Sequence, residues 1–170
     1  MAIPKKIMAA QLFINGAGYP NQVEEITLPK LTRKMEEFRA DIMDRPLERD
    51  MGGEKLESTI IFGEYLEDVI KGMGVCSHES VRLRALASAE GLDCDYDQIE
   101  VVMHGRWKEL DFGKIKAGED SNFTAQLAIS HFEFKKNGVE LVYIDVEMGV
   151  ERIGGVDRTA QRRQAIGLEY

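Results

Sequence analysis

Apolar and polar side chains alternate in short segments along most of this chain, and this alternation limits the folds that it can adopt. Between residues 123 and 130, for instance, Phe123, Leu127 and Ile129 share one parity while the other parity is largely polar. Side chains of a β-strand point alternately to opposite faces, so a period of two predicts strands with one buried and one polar face. The chain is therefore expected to be mainly β.

Turn residues separate the predicted strands. Residues 7–14 and 22–28 flank the turn Asn15-Gly16-Ala17-Gly18, which predicts a hairpin between them. A second turn, Asn137-Gly138, leads into residues 139–146, which are nearly all apolar and predict a strand covered on both faces. The apolar parity changes after His131, which predicts a bulge or a change of packing environment there. Further strands are predicted at residues 34–39, 55–62, 81–88 and 99–107.

Helical segments are few and short. Residues 65–71 are predicted to form a helix ended by glycine, and residues 158–166 a last helix capped by Asp157 and closed by Gly167. With 170 residues and no linker or repeat, the chain is expected to be one domain over residues 1–170. The predicted fold is an antiparallel β-sandwich or barrel with a short helix and a C-terminal helix.

Charge and cysteine content limit the functions that are open to the chain. Its formal net charge is −8, and an acidic protein repels phosphates, so tight or sequence-specific nucleic-acid binding is not expected. The apolar runs are far shorter than the ~20 residues of a membrane-spanning helix. Lys5 and Lys6 precede an apolar run that Gln11 interrupts, so we interpret this run as a first strand rather than a targeting peptide. The two cysteines are expected to be free thiols.

Residues that could ligate a metal ion do not have the spacing that metal sites need. The candidates are Cys76, His78, Cys94 and His104, and they match no paired-ligand arrangement. The run Asp93-Cys94-Asp95-Tyr96-Asp97 resembles the start of a calcium loop, but the sixth position is glutamine where glycine is needed. Solvated acidic turns and isolated side chains are sufficient explanations, so no metal site is expected.

Catalytic patterns are also missing from the sequence. It contains no phosphate-binding glycine motif and no nucleophile elbow. Ser130 and His131 are neighbours, but adjacent residues of a strand point to opposite faces and cannot act as nucleophile and base. The chain is therefore expected not to be an enzyme and to need no cofactor.

Four stretches, spread in order over nearly the whole chain, carry a family resemblance. They are Ile26-Thr27-Leu28-Pro29-Lys30-Leu31-Thr32-Arg33-Lys34 running on through Glu37-Phe38-Arg39-Ala40; Gly105-Arg106-Trp107-Lys108-Glu109 with Lys116-Ala117-Gly118-Glu119; residues 127–134 with Asn137-Gly138 and Glu140-Leu141-Val142-Tyr143-Ile144-Asp145-Val146; and Gly155-Val156-Asp157 leading to Arg162, Ala165 and Gly167-Leu168. The chain resembles the major tail tube protein of P2-type contractile phage tails and of the related R-type bacteriocin tails. It departs from that family at Asp41-Ile42, which stand where the family has two glycines.

This resemblance implies a structural subunit. Six copies would form a ring, each giving four strands to one continuous inner barrel, and the rings would stack into a hollow tube inside the contractile sheath. The implied partners are further copies of the chain, the tail sheath protein, the tape measure protein, and the baseplate and terminator proteins. DNA would pass through the tube without specific binding, and no membrane is involved. The implied location is the virion tail, and the host cytoplasm during assembly.

Three surfaces are predicted within this framework. Residues 39–54 are predicted to be a long inter-ring loop whose mixed charges set the register between rings, namely Arg39, Asp41, Asp44, Arg45, Glu48, Arg49 and Asp50. The channel wall is predicted to be polar and net acidic, with Glu57, Thr59, Thr124, Gln126 and Ser130 on it and Ile61 as an exception. The last helix is predicted to lie outside the tube and to hold the sheath or a neighbouring subunit through a basic face of Arg158, Arg162 and Arg163.

Two other functions remain open on the sequence alone. The same architecture serves the ring-forming tube proteins of type VI secretion, to which the expected fold is also similar. A small ligand-binding or catalytic β-barrel acting alone is the other alternative, and a compact monomer with an apolar pocket would favour it.

Overall fold

The structure is a computed structural model that describes residues 3–170, in which twelve strands and two short helices are present. The strands are β1 (Lys6–Ile14), β2 (Ala17–Gly18), β3 (Val23–Thr27), β4 (Arg33–Phe38), β5 (Leu47–Gly53), β6 (Leu56–Phe62), β7 (Val81–Glu90), β8 (Tyr96–Asp111), β9 (Phe123–Lys136), β10 (Val139–Asp145), β11 (Val150–Ile153) and β12 (Val156–Asp157). The helices are α1 (Glu67–Gly72) and α2 (Ala160–Ala165). The predicted mainly β fold with a short helix and a C-terminal helix is confirmed.

One antiparallel sheet contains ten of the strands and is organised around β9. On one side β9 pairs with β8 along its whole length. On its other side the first half of β9 pairs with β6 and the second half with β10. The sheet continues from β6 to β3, from β10 to β11 and β12, and from β8 to β7, β1 and β2. Two groups of strands thus share β9.

The core consists of the apolar parity of these strands. Leu12, Ile60, Leu83 and Leu127 are fully buried, and Trp107 is the largest fully buried side chain. Burying apolar surface of this kind is the dominant favourable term in folding. The helix α1 closes one end of the core with its buried Val69.

Both predicted tight turns are present, but one predicted pairing is wrong. Asn15 and Gly16 have positive φ values of 49° and 86°, as the two-residue hairpin turn requires. The strand that returns from this turn is β2, which is only two residues long, and β3 pairs with β6 rather than with β1. Pro20 follows β2 and lacks a backbone N–H, so it cannot continue a ladder toward β3.

The change of parity at His131 marks a β-bulge, as the sequence predicts. His131 lies opposite His104 and Ile129 opposite Gly105, so Ser130 has no partner residue on β8. Gly105 accommodates the distortion because it has no side chain. A Cβ at Gly105 would lie 1.9 Å from the carbonyl oxygen of Ala128.

Both predicted helices exist, with shifted starts. The last helix begins at Ala160, and its N-cap is Thr159 rather than Asp157. The Asp157 carboxylate instead accepts hydrogen bonds from Thr159 and pairs with Arg163 at 2.5 Å. Gly167 ends the helix with a φ of 84°, as predicted. No helix among residues 3–170 is long and apolar enough to cross a membrane.

Residues 39–54 are not a structureless loop, which corrects the prediction. Half of this stretch is β5, which pairs with β4 to form a separate two-stranded sheet, here called the β4–β5 hairpin (residues 33–53). Its tip is the turn at residues 39–46. Asp41 and Ile42 occupy that turn with negative φ, so the missing glycines are not needed for its backbone.

The prediction that residues 139–146 are covered on both faces is also wrong. Val142 and Ile144 pack against the core, whereas Val139 is 61% exposed and Val146 is 59% exposed. β10 lies between β9 and the short β11, and within the described residues its alternate residues Val139 and Leu141 remain 61% and 38% exposed.

An ion-pair network holds the start of the chain to the sheet. The Lys5 ammonium lies 2.6 Å from Asp95 and 3.1 Å from Asp97, and Asp97 also pairs with Lys136 and accepts a hydrogen bond from the Asn137 amide. These contacts, with the bond from Asn137 first, lower the pKa of Asp97 to about 2. The acidic turn that resembles a calcium loop is thus a lysine-paired junction.

Replacing Asp97 with asparagine is expected to weaken the acid dependence of stability. A carboxyl with a lowered folded-state pKa contributes stability above its unfolded pKa of about 3.9, and this contribution is lost as the pH falls toward 2. The Tm of Asp97→Asn should therefore fall less than that of the unsubstituted chain between pH 5 and pH 2. Thermal melts across this range test it, with the exposed Asp93→Asn as control. Parallel curves for all three proteins would contradict it.

Candidate assembly surfaces

A four-stranded section of the sheet has one core-facing and one polar face. It comprises β3, β6, residues 123–129 of β9 and residues 105–111 of β8, in that order, and is called the polar sheet below. Burial alternates strictly along β6, where Leu56, Ser58, Ile60 and Phe62 are buried and the residues between them are not. The buried Ser58 hydroxyl donates to the Thr27 carbonyl at 2.8 Å, so this polar group is satisfied.

Four of the five residues predicted for the channel wall lie together on the polar face. Thr59 of β6 lies directly opposite Gln126 of β9, and Glu57 and Thr124 flank this pair on the same face. Ile61 shares the face, opposite Thr124, and is the apolar exception that the sequence also shows. The strands place these residues side by side because all of them have the parity opposite to the core.

Ser130 is separated from that group. It lies at the bulge, beyond the end of β6, where its hydroxyl is 3.0 Å from a Glu79 carboxylate oxygen and 3.3 Å from the His104 carbonyl oxygen. Burial still alternates through Ser130 and first breaks at Phe132, but the bulge leaves Ser130 without a partner on β8, so it is not side by side with the other four residues.

The polar face carries more acidic than basic groups. The strands contribute the acidic Glu25, Glu57, Glu109 and Asp111 and the basic Arg106 and Lys108. Lys55, just before β6, adds one cation at the rim and pairs with Glu57 at 3.0 Å. The face is therefore polar with a small acidic excess.

Both edges of the polar sheet lack a partner strand within the described residues. β3 pairs only with β6, and residues 106–111 of β8 extend beyond the end of β7 and pair only with β9. All neighbours are antiparallel, so the two edge strands run in opposite directions. Unpaired edges of this kind are templates for pairing with another chain.

The β4–β5 hairpin leaves much of its apolar surface uncovered. Phe38 and Leu47 form a cross-strand pair and are 50% and 59% exposed, and Ile42 at the tip is 97% exposed. Glu37 lies directly opposite Glu48, an unfavourable arrangement of like charges. Among residues 3–170, the ion pairs between the hairpin and the body are Arg33–Glu151 at 2.5 Å and Arg158–Asp50 at 3.7 Å. A two-stranded hairpin is only marginally stable alone, which makes this surface a candidate for contact with another subunit.

The three arginines of the predicted outer helix do not form one basic face, which corrects that expectation. Arg163 is 6% exposed and is held by Asp157, by carbonyl oxygens of Gly149 and Tyr170, and by the Thr159 hydroxyl. It anchors the last residues to the body. Arg158 pairs with Asp50 of the hairpin. Of the three arginines, Arg162 alone is exposed and has no ion pair with any of residues 3–170.

Candidate ligands and catalytic residues are dispersed. Cys76 and Cys94 are exposed free thiols, and His78 contacts Glu147 on the surface. His104 stacks on His131 with 4.8 Å between ring centroids, a pair that sequence reasoning missed because the bulge creates it. Burial, followed by the nearby His131, lowers the pKa of His104. In the part of the chain that the structure describes, no group of three or more His, Cys, Asp or Glu could hold a metal ion.

Comparisons with known proteins agree on one kind of assembly component. The family model for phage tail tube protein FII matches residues 4–167. The tail tube protein of Escherichia phage P2 is 34% identical over 99% of this chain and 100% of its own length, and the major tail tube protein of Serratia phage KSP20 is 30% identical over 86% and 85%. The fold is similar to that of the sheath/tube terminator of the PVC extracellular contractile injection system, with a TM-score of 0.57, 10% identity, and coverage of 75% of this chain and 94% of that one.

Proposed function

The chain belongs to the phage tail tube protein FII family, and from this premise we propose that its copies close into rings by pairing the two free edges of the polar sheet. Membership makes it a structural subunit of a contractile tail tube and not an enzyme. The observation that carries the proposal is the pair of free edges, β3 on one side and residues 106–111 of β8 on the other.

Strand direction explains why such a ring can close. Because the edges run in opposite directions, β8 of one copy meets β3 of the next in antiparallel orientation when the copies are related by rotation. Every copy uses the same two edges, so no edge remains once the ring is complete. The family resemblance supports six copies, and a barrel with four strands from each would exceed the roughly 16–18 strands that already leave an aqueous channel.

The remaining assignments extend this ring. The polar face lines the channel, with Glu57, Thr59, Thr124 and Gln126 in the wall, and DNA passes along it without specific binding. The hairpin contacts the neighbouring ring, and the rings stack into a tube assembled in the host cytoplasm. Sheath, tape measure, baseplate and terminator proteins are the partners that the tube requires.

Engineered disulfides between the two edges test ring closure. Cysteines replacing Glu25 of β3 and Glu109 of β8, in a chain whose exposed Cys76 and Cys94 are serine, should cross-link neighbouring copies during assembly. Non-reducing gels are expected to show a ladder that ends at a closed hexamer, and electron microscopy should show tubes. Each single-cysteine variant is the control and should give no ladder. A ladder without a closed product, or none from the double variant, would refute pairing of these edges.

Arg162 is the proposed outer contact to the sheath. Arg162→Glu is expected to weaken sheath attachment, more strongly at low than at high salt, because exposed charge pairs are screened. Gln161→Glu on the same helix adds negative charge without removing the guanidinium and serves as control. The measurement is sedimentation of sheathed tails, and equal attachment by the two variants would contradict the role of Arg162.

A further inference from the structure

Two lysines converge on one carboxylate on the polar face. Glu57 receives Lys108 from β8 in a very short contact and Lys55 from the rim at 3.0 Å. The Glu57 side chain is 27% exposed and Lys108 43%, so the group lies at the surface of the face. Contacts to Lys108 and then Lys55 lower the pKa of Glu57, which keeps the carboxylate ionised.

A small residue makes this contact possible across an intervening strand. Glu57 and Arg106 are both register partners of Ala128, which lies on β9 between them. β6 and β8 are two strand spacings apart, about 9.6 Å. A bulge next to Lys108 turns its side chain toward this row, and the methyl group of Ala128 leaves the space above β9 open for the lysine to cross.

Without Glu57, this part of the face would be cationic. Lys55, Lys108 and Arg106 would lie within a few strand spacings of one another, and none of them would have a carboxylate in ion-pair contact among residues 3–170; Glu109 acts on Lys108 only at longer range. Each cation that contacts a nucleic-acid phosphate releases counterions and adds affinity, and the ring repeats the group in every subunit. A polyanion moving along such a wall would be held.

We infer that Glu57 masks Lys55 and Lys108 from the phosphates of nucleic acid. The two lysines can then remain in the channel wall without binding the DNA that passes along it. The inference rests on the proposed function, which places this face in the channel wall. It gives Glu57 a specific role, beyond its contribution to the acidic excess of the face. Glu57 is a specificity residue against nucleic-acid binding, and Ala128 is the positioning residue that lets Lys108 reach it.

The test compares two substitutions that remove the same charge. Glu57→Gln frees both lysines, whereas Glu109→Gln removes a carboxylate that has no ion pair among residues 3–170. Assembled tubes are incubated at about 50 mM salt with a short linear DNA duplex, and the retained duplex is measured after sedimentation. Glu57→Gln should retain it on the order of tenfold more than Glu109→Gln, and about 200 mM salt should release it. Glu57→Gln/Lys108→Gln should restore low retention.

Two further measurements separate the inference from the proposed function. A closed circular plasmid cannot thread a tube, so retention of the linear duplex alone supports a channel wall. Equal retention of both DNAs would uphold masking but refute the channel assignment. Titration of the duplex into unassembled subunits tests masking without tubes, and Glu57→Gln should again bind more tightly than Glu109→Gln. Equal binding by these two variants, or no effect of Lys108→Gln, would overturn the inference.

Discussion

A chain in which residues 34–52 are replaced by Asn-Gly is expected to fold normally and to form no tubes. Arg33 and Gly53 are register partners, so a two-residue turn joins them without strain. No residue of the hairpin belongs to the buried core, and in the described part of the chain β4 and β5 pair only with each other. The Tm should therefore change by only a few degrees, since substitutions remote from the core have small effects on stability.

The loss of tubes follows from the uncovered apolar surface of the hairpin. Within residues 3–170, Phe38, Ile42 and Leu47 remain largely exposed, and the opposed Glu37 and Glu48 form no ion pair. Contact with another subunit would bury the first set and could neutralise the second.

Electron microscopy of the shortened chain, together with circular dichroism and thermal melts, is the measurement. Phe38→Ser/Leu47→Ser keeps the hairpin length and removes only the apolar pair, and it should give fewer or shorter tubes. Tubes of normal length and yield from the shortened chain would exclude the hairpin from ring-to-ring contact.

A chain carrying Glu57→Lys and Gln126→Lys is expected to build intact tubes that deliver DNA at least about tenfold less efficiently. Both positions lie on the polar face away from the core, so assembly is preserved. A DNA duplex has about one negative charge per 1.7 Å, and added lysines around each ring would hold it during passage. Delivery per adsorbed particle is measured in a phage whose tube is made of the variant.

The control for this experiment changes charge by the same amount elsewhere. Ser77→Lys and Asp93→Lys raise the net charge of the subunit by three at exposed loop positions outside the polar sheet, and the channel substitutions raise it by the same amount within that sheet. DNA delivery should be unchanged in the control variant. In the channel variant it should recover partly at higher salt concentration, because salt screens the attraction between lysine and phosphate. An equal loss with both variants would indicate a general effect of charge and would contradict the channel assignment.

The sequence predicts the elements of this fold where a strand has one buried face, and it fails where burial depends on other strands. β6 and the first half of β9 alternate strictly, and both were correctly predicted. β5 was missed because its apolar residues, such as Leu47 and Met51, face nothing in their own chain and so give no alternation against a core. The burial of β10 was overestimated, since an apolar run in the sequence does not show whether both faces of the strand are covered.

The candidate surfaces divide in the same way. The sequence correctly predicted that four polar residues of β6 and β9 share one face of the sheet, because the alternation along each strand alone decides this placement. The grouping of Arg163 with Arg158 and Arg162 was wrong, because helical spacing does not show that the Asp157 carboxylate and several backbone carbonyls draw this guanidinium inward. The contact between Glu57 and Lys108 was not predictable either, since their strands are not neighbours and the contact depends on a bulge and on the small Ala128 of β9 between them.

The opposite directions of the two free edges have a consequence for the polarity of the filament. When β8 of each copy pairs with β3 of the next, all copies have the same orientation relative to the ring axis. A ring built on these edges therefore has no twofold axis in its plane. Its two rims are therefore chemically different, and rings that stack head to tail give a filament with a different end at each terminus. Growth can then proceed from a single end. A protein that caps one terminus of such a filament meets a surface that the other terminus does not offer, so the proposed assembly would use two different partners for initiation and termination.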